Sequence, residues 1–223
     1  MATFSDPDRK RIQELLAVME KPVRLIHFTQ TFECELCQET RALFEDLVRL
    51  SDKLSLETYN FQLDKEKVAQ YRIDKVPATV VESAKDYGVR LYGFPAGYEV
   101  VVLLEAILRV SHGESGLSSE SIEKLKNLKS PLHIEVLVTP TCPRCPAAAR
   151  LAHQLAIESD LITADMVEAT EFPDLVQRYA VRGVPKTVIN GTSFIEGSLP
   201  ESEYVDQIVS SVAAAKEPVA AEQ

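Results

Sequence analysis

The chain has 223 residues, 45% hydrophobic and 26% charged, with a formal net charge of −10 and only four cysteines. That length suits two domains of about 100 residues, each with its own core. The acidic balance repels phosphate backbones and argues against a nucleic-acid partner. The longest apolar run, VVVLLEAILRV at 100–110, contains Glu105 and Arg109 and is too short to span a bilayer, which argues against a membrane one.

The start, MATFSDPDRKRIQELL, is polar and charged, unlike a signal or transit peptide, so a cytoplasmic protein is expected. Within DPDRKRIQELLAVME, Ile12, Leu15, Leu16 and Met19 form one apolar stripe, with Ser5 or Asp6 as N-cap and Pro7 in the first turn: a helix. VRLIHFT then reads as a buried strand and leads into Cys34-Glu35-Leu36-Cys37. ETRALFEDLVRLSDKL has helical spacing, LETYNFQL reads as a strand, and KEKVAQYR as a short helix ending near Val76-Pro77. ATVVES and GVRLYG form a hairpin, YGFPAGYE a turn with a helix start, and YEVVVLLEAILRV a closing helix. The polar stretch SHGESGLSSES, 111–121, marks a boundary, which divides the chain into 1–115 and 116–223.

The order then repeats. LSSESIEKLKNLK places Ile122, Leu125 and Leu128 on one helical face, and LHIEVLVT is a strand leading into Cys142-Pro143-Arg144-Cys145. PAAARLAHQLAIES, TADMVEAT and FPDLVQRY read as helix, strand and helix before Val184-Pro185. KTVIN and TSFIEG pair through Asn190-Gly191, a two-residue hairpin signal. ESEYVDQIVSSVAAA closes the unit, and the tail beyond about 216 is expected to fray.

A shift of 108 positions superposes Cys34 on Cys142, Cys37 on Cys145, Tyr71 on Tyr179, Val76-Pro77 on Val184-Pro185 and Thr79-Val80 on Thr187-Val188. It also puts Ile26 on Ile134 and Thr31 on Thr139, with no gap needed from about 24 to 81. One offset carrying two CxxC and two Val-Pro motifs indicates internal duplication. The expected fold is α/β: two tandem thioredoxin-like units, each a central mixed sheet flanked by helices.

The cysteine spacing favours chemistry over stapling, because each pair closes only a tiny ring. Zinc ribbons hold their pairs about 15–20 residues apart, whereas 104 residues separate Cys37 from Cys142, so no metal is expected there. A strand-to-helix turn places the first cysteine at a helix N-terminus, where unpaired N–H groups and the helix dipole favour a thiolate. The second cysteine lies about a turn further and resolves the mixed disulfide. Arg144 favours ionisation of Cys142 and Glu35 opposes that of Cys34, so the second site is expected to be the stronger oxidant. The shift pairs His27 with Glu135, two titratable groups in the strands before CxxC. Thioredoxins place a buried acid near this point, so both are candidate proton relays, although the alternation of Ile134, Val136 and Val138 turns Glu135 the other way. His112, His133 and His153 read as helix-surface or groove residues, and Tyr71 and Tyr179 as core packing.

YGFPAGYE, VTPTCPRCP, ITADMVEATEFP and VPKTVIN resemble signatures of the glutaredoxin-like protein disulfide oxidoreductases, and the resemblance covers nearly the whole chain. It implies thiol–disulfide exchange on protein disulfides, with Cys34/Cys37 and Cys142/Cys145 as catalytic pairs. It also implies cis prolines at Val76-Pro77 and Val184-Pro185, whose valines offer backbone groups to an extended substrate strand. No bound cofactor is implied; electrons would come from an NADPH-dependent flavoprotein of the thioredoxin reductase type. An alternative is a dedicated relay between such a flavoprotein and one partner, such as a peroxidase. The chain departs from the pattern at CELC, in lacking a Trp before either CxxC, and in having only Glu196-Gly197 where glutaredoxins carry two glycines.

Overall fold

The computed structural model describes residues 4–214, so the expectation for the tail lies outside the described residues. The first half runs α1 (Asp6–Leu16), β1 (Val23–Thr29), α2 (Cys37–Leu47), β2 (Leu54–Asn60), α3 (Lys65–Tyr71), β3 (Ala78–Glu82), β4 (Asp86–Tyr92) and α4 (Glu99–His112). The second repeats it with α5 (Ser119–Leu125), β5 (Leu132–Val138), α6 (Cys145–Glu158), β6 (Ile162–Glu168), α7 (Pro173–Arg178), β7 (Lys186–Ile189), β8 (Ser193–Glu196) and α8 (Glu201–Ala214). Ser5 and Ser118 cap α1 and α5 by accepting bonds from Asp8 N and Ser121 N, which satisfies helix-start donors that would otherwise lack partners.

All eight strands form one mixed sheet in the order β2-β1-β3-β4-β6-β5-β7-β8. Within each half the first and second strands are parallel, and the first–third and third–fourth pairs are antiparallel. The halves join where β4 pairs in parallel with β6, from Val89↔Ala164 to Tyr92↔Val167. Gly88 permits this seam. It sits at φ +80°, and a Cβ there would collide with the Ile162 carbonyl oxygen. The boundary stretch is also tied down, since Arg109 and Gln154 both donate to Ser115 O and Ser115 Oγ donates to Glu158.

The two faces of the sheet differ. One carries α1, α2, α4, α5, α6 and α8 over a core that runs unbroken across both halves, from Leu25 and Phe44 through Val89 and Ala152 to Ile134 and Ile208. The other carries α3 and α7 over a smaller core containing Ile26, Phe28, Tyr71, Leu137 and Tyr179. His153 is buried under the seam, not on a surface or in a groove: it is 2% exposed and its Nε2 lies 3.2 Å from Arg90 O.

The register corrects the gap-free alignment. Ile26 pairs with Val80 and His27 with Thr79, whereas Glu135 pairs with Val188 and Val136 with Thr187. Val80 and Thr79 match Val188 and Thr187 at the 108-residue shift, so His27 corresponds to Val136 and Glu135 to Ile26, a shift of 109. The extra residue lies in the loop before Cys34, where four residues separate β1 from the cysteine against three after β5. A one-residue slip reverses every side chain in a strand. His27 therefore faces α2, against the Phe44 ring at 5.4 Å, and Glu135 faces α7 through Tyr179.

Candidate active sites

Each cysteine pair sits where the chain leaves the first strand of its half and enters a helix. Cys37 is the first residue of α2 and Cys145 the first of α6. Both pairs are disulfides, with Cα–Cα separations of 5.5 Å for Cys34–Cys37 and 5.4 Å for Cys142–Cys145. In both, the leading cysteine is partly exposed and the trailing one is buried. The arrangement presents one sulfur to solvent and holds its partner beneath it.

Both Val-Pro peptide bonds are cis. In the second half the Val184 carbonyl oxygen lies 3.6 Å from Cys142 Sγ, and Cys145 N donates to that sulfur at 3.1 Å. Among the described residues, Cys34 Sγ receives neither contact. The proline carbonyls hold their own hairpins, with Gly93 N donating to Pro77 O at 2.9 Å and Gly197 N to Pro185 O at 2.8 Å.

The surroundings differ in charge. Arg144 occupies the N-cap position of α6, whose first turn has no acidic residue, while Glu35 lies inside the first CxxC ring and Glu39 in the first turn of α2. Both Glu35 and Arg144 are exposed. Glu33, just before Cys34, takes a left-handed φ of 56° in the longer loop.

His27 is fully buried, with Nδ1 3.0 Å from Thr79 Oγ1 and Nε2 without a hydrogen-bond partner. Burial lowers its pKa to about 4, so the ring is neutral near pH 7. Glu135 accepts from Tyr179 Oη at 2.7 Å and lies 3.6 Å from Lys75 Nζ, on the face of the sheet away from α6 and Cys145. That placement separates it from the resolving cysteine, and the β5 register is the reason.

A buried carboxyl group that looks unremarkable in the sequence lies at the head of α4. The loop 92–99 crosses from the first half to the second, with Gly93 bonded to Pro77, Phe94 N donating to Glu171 at 2.6 Å and Tyr98 N donating to Pro140 O at 3.0 Å. Gly97, at φ 52°, lets this loop touch the Pro140 carbonyl, which a Cβ would strike. Glu99 follows at the start of α4. It is 1% exposed, and its Oε1 has no partner. Burial pushes its pKa up to about 8, with Glu168 adding to the shift, and burial raises Glu171 to about 7. A glutamate in a helix's first turn looks like an ordinary dipole partner in sequence, which hides this one.

The thioredoxin domain family matches residues 132–210. A protein disulfide oxidoreductase from Aeropyrum pernix is 35% identical and superposes with a TM-score of 0.87 over 94% of both chains. The chain belongs to the protein disulfide oxidoreductase family. It is a thiol–disulfide oxidoreductase with two CxxC motifs. The N-terminal domain of the alkylhydroperoxide reductase AhpF from Enterococcus faecalis is also similar, with 26% identity, a TM-score of 0.85, and 92% of this chain matched to 99% of that one. The AhpF of Pseudomonas aeruginosa is 25% identical over 90% of this oxidoreductase, and a protein called NADH dehydrogenase from Ferdinandcohnia aciditolerans is likewise 25% identical over 90%. The chain spans only 36–37% of the length of these two relatives. Among the described residues, no helix is long and apolar enough to cross a membrane.

Proposed function

We propose that Cys142 and Cys34 are the attacking cysteines, Cys145 and Cys37 their resolving partners, and that residues 1–115 and 116–223 form the two units that carry them. The observation carrying this reading is the half-exposed, half-buried pair at each helix start, beside a cis Val-Pro loop in each half. In the reductive direction, the Cys142 thiolate attacks a substrate disulfide and releases one substrate thiolate, which takes up a proton. The Cys145 thiolate then attacks Cys142 Sγ, releases the second substrate thiol, and leaves the enzyme disulfide. Two electrons and two protons from a reductase restore the dithiol. Val184 and Val76 hold the substrate strand through their backbone groups, and Arg144 and Glu35 set the difference between the sites. Glu99, at the head of the helix packed on α6, supplies and accepts the proton for the second site, and His27, beneath α2, does so for the first.

Protein disulfides are the proposed substrates and the cytoplasm the proposed location. No bound cofactor is needed. The electron donor is an NAD(P)H-dependent flavoprotein of the thioredoxin reductase type, a reading supported by the relatives that are themselves AhpF or NADH dehydrogenase. The same relatives favour the second reading, a relay to a peroxidase. Insulin reduction by dithiothreitol, measured for wild type, C34S/C37S and C142S/C145S, tests the first. If a variant lacking all four cysteines matches wild type, neither pair is catalytic. Slow insulin reduction beside fast flavoprotein-driven peroxidase turnover selects the relay.

A further inference from the structure

On the α3/α7 face, far from either disulfide in role, a row of charged residues crosses the seam. Arg90 on β4 pairs with Asp165 on β6, which pairs with Glu135 on β5, and His133 projects two residues earlier on the same face of β5. We propose that His133, Glu135 and Asp165 bind a divalent transition-metal ion of the zinc class. The imidazole Nε2 is 2.6 Å from Asp165 Oδ2, and one ligand atom from each of the three residues lies within 4.8 Å of the others. Ligands about 2.0–2.2 Å from one ion lie at such separations after small rotations. One imidazole with two carboxylates suits zinc, manganese or nickel better than magnesium, and the fourth position is left for water.

Two features separate this site from a chance acidic cluster. Asp165 has a side chain only 3% exposed, yet its Oδ1 has no hydrogen-bond partner and the residue lines a cavity of about 740 Å³ at the seam. His133 lines the same cavity with its side chain 45% exposed, which opens a route for an ion from solvent. A buried carboxylate oxygen without a partner is costly, and an ion repays that cost.

Lys75 and a metal ion are alternative counter-charges for this site. Arg90 is spent on Asp86, to which it donates at 2.6 and 2.8 Å. Of the other neighbouring cations, Lys75 lies 3.6 Å from Glu135, over the Tyr92 ring at 3.9 Å, and is shared with Asp74 at 2.9 Å. A divalent ion supplies two positive charges to the same carboxylates. It takes the lone pair of His133 Nε2 and dislodges Lys75, which lies immediately before Val76-Pro77. Tyr179 keeps its bond to Glu135 Oε2.

The test uses full-length protein with both cysteine pairs oxidised, so that no thiolate can bind metal. Titration with zinc chloride by calorimetry, and with cobalt chloride by visible absorption, is expected to show one saturable site per chain without sulfur charge-transfer bands. His133→Ala and Asp165→Asn should each weaken binding at least about tenfold, whereas Lys75→Met should tighten it. Circular dichroism and dithiol-driven insulin reduction show that the variants fold. Absence of saturable binding by the wild type up to about 100 μM metal overturns the proposal, as does unchanged affinity in both folded ligand variants.

Discussion

The two disulfide sites share a fold but not an environment. In the second, Cys145 N and Val184 O both approach Cys142 Sγ, and Arg144 precedes a helix whose first turn carries no acid. In the first, neither contact is made among the described residues, the loop is one residue longer, Glu33 and Glu35 flank Cys34 in the chain, and Glu39 lies in the first turn of α2. The difference shows how one scaffold separates two redox couples: the helix start supplies a common field, and the loop and dipeptide adjust it.

The largest effect expected from breaking this comparison is on turnover. C142S should remove most insulin reduction, C34S a smaller part, and the double variant all of it; an equal loss from either single variant would erase the asymmetry. Next, glutathione-buffer titration of each site alone should place Cys142/Cys145 higher in potential than Cys34/Cys37, by on the order of 30 mV, or tenfold in equilibrium constant. Exchanging the charges with R144E and E35R should narrow the gap, and a gap that persists assigns it to the loop instead.

The buried titrating groups give smaller effects. Glu99 holds its proton to about pH 8, above its unfolded value, so the folded state binds more protons between about pH 4.5 and 8. Stability should therefore fall as pH rises through that window, by up to a few kcal/mol, and E99Q should flatten the urea-denaturation profile. Identical pH profiles would show that Glu99 titrates normally. His27 and His153 are both lowered to about 4, so their contribution is present above about pH 6.5 and lost as pH falls towards 4. His27→Gln should remove part of that acid loss, and it should alter the pH dependence of Cys34 alkylation if the imidazole exchanges a proton with that site. An unchanged alkylation profile confines His27 to a packing role.

Much of this was legible in one dimension. The CxxC and Val-Pro motifs recur at a constant shift, and the order of apolar runs between them gave the element sequence of each half. The strand register was not legible. Ile26 and Ile134 match in identity at the shift that aligns the cysteines, while the compensating residue is absorbed by a loop that leaves no mark in periodicity. The same limit hid the charged row at the seam. Glu135 and Asp165 are 30 residues apart in the chain and become neighbours only once β5 lies beside β6. Glu99 was hidden for a related reason, since its burial depends on a loop from one half closing over the other.

The β4–β6 seam has an architectural consequence. It joins the fourth strand of one half to the second strand of the next, so the relation between halves is head-to-tail and not a self-complementary dyad. Here it does not close. β2 remains at one end with the edge that β6 uses, and β8 at the other with the edge that β4 uses. Tandem gene duplication can lengthen this ribbon one module at a time, and the four-residue β8, short against the seven of β4, blunts the end from which uncontrolled polymerisation would start.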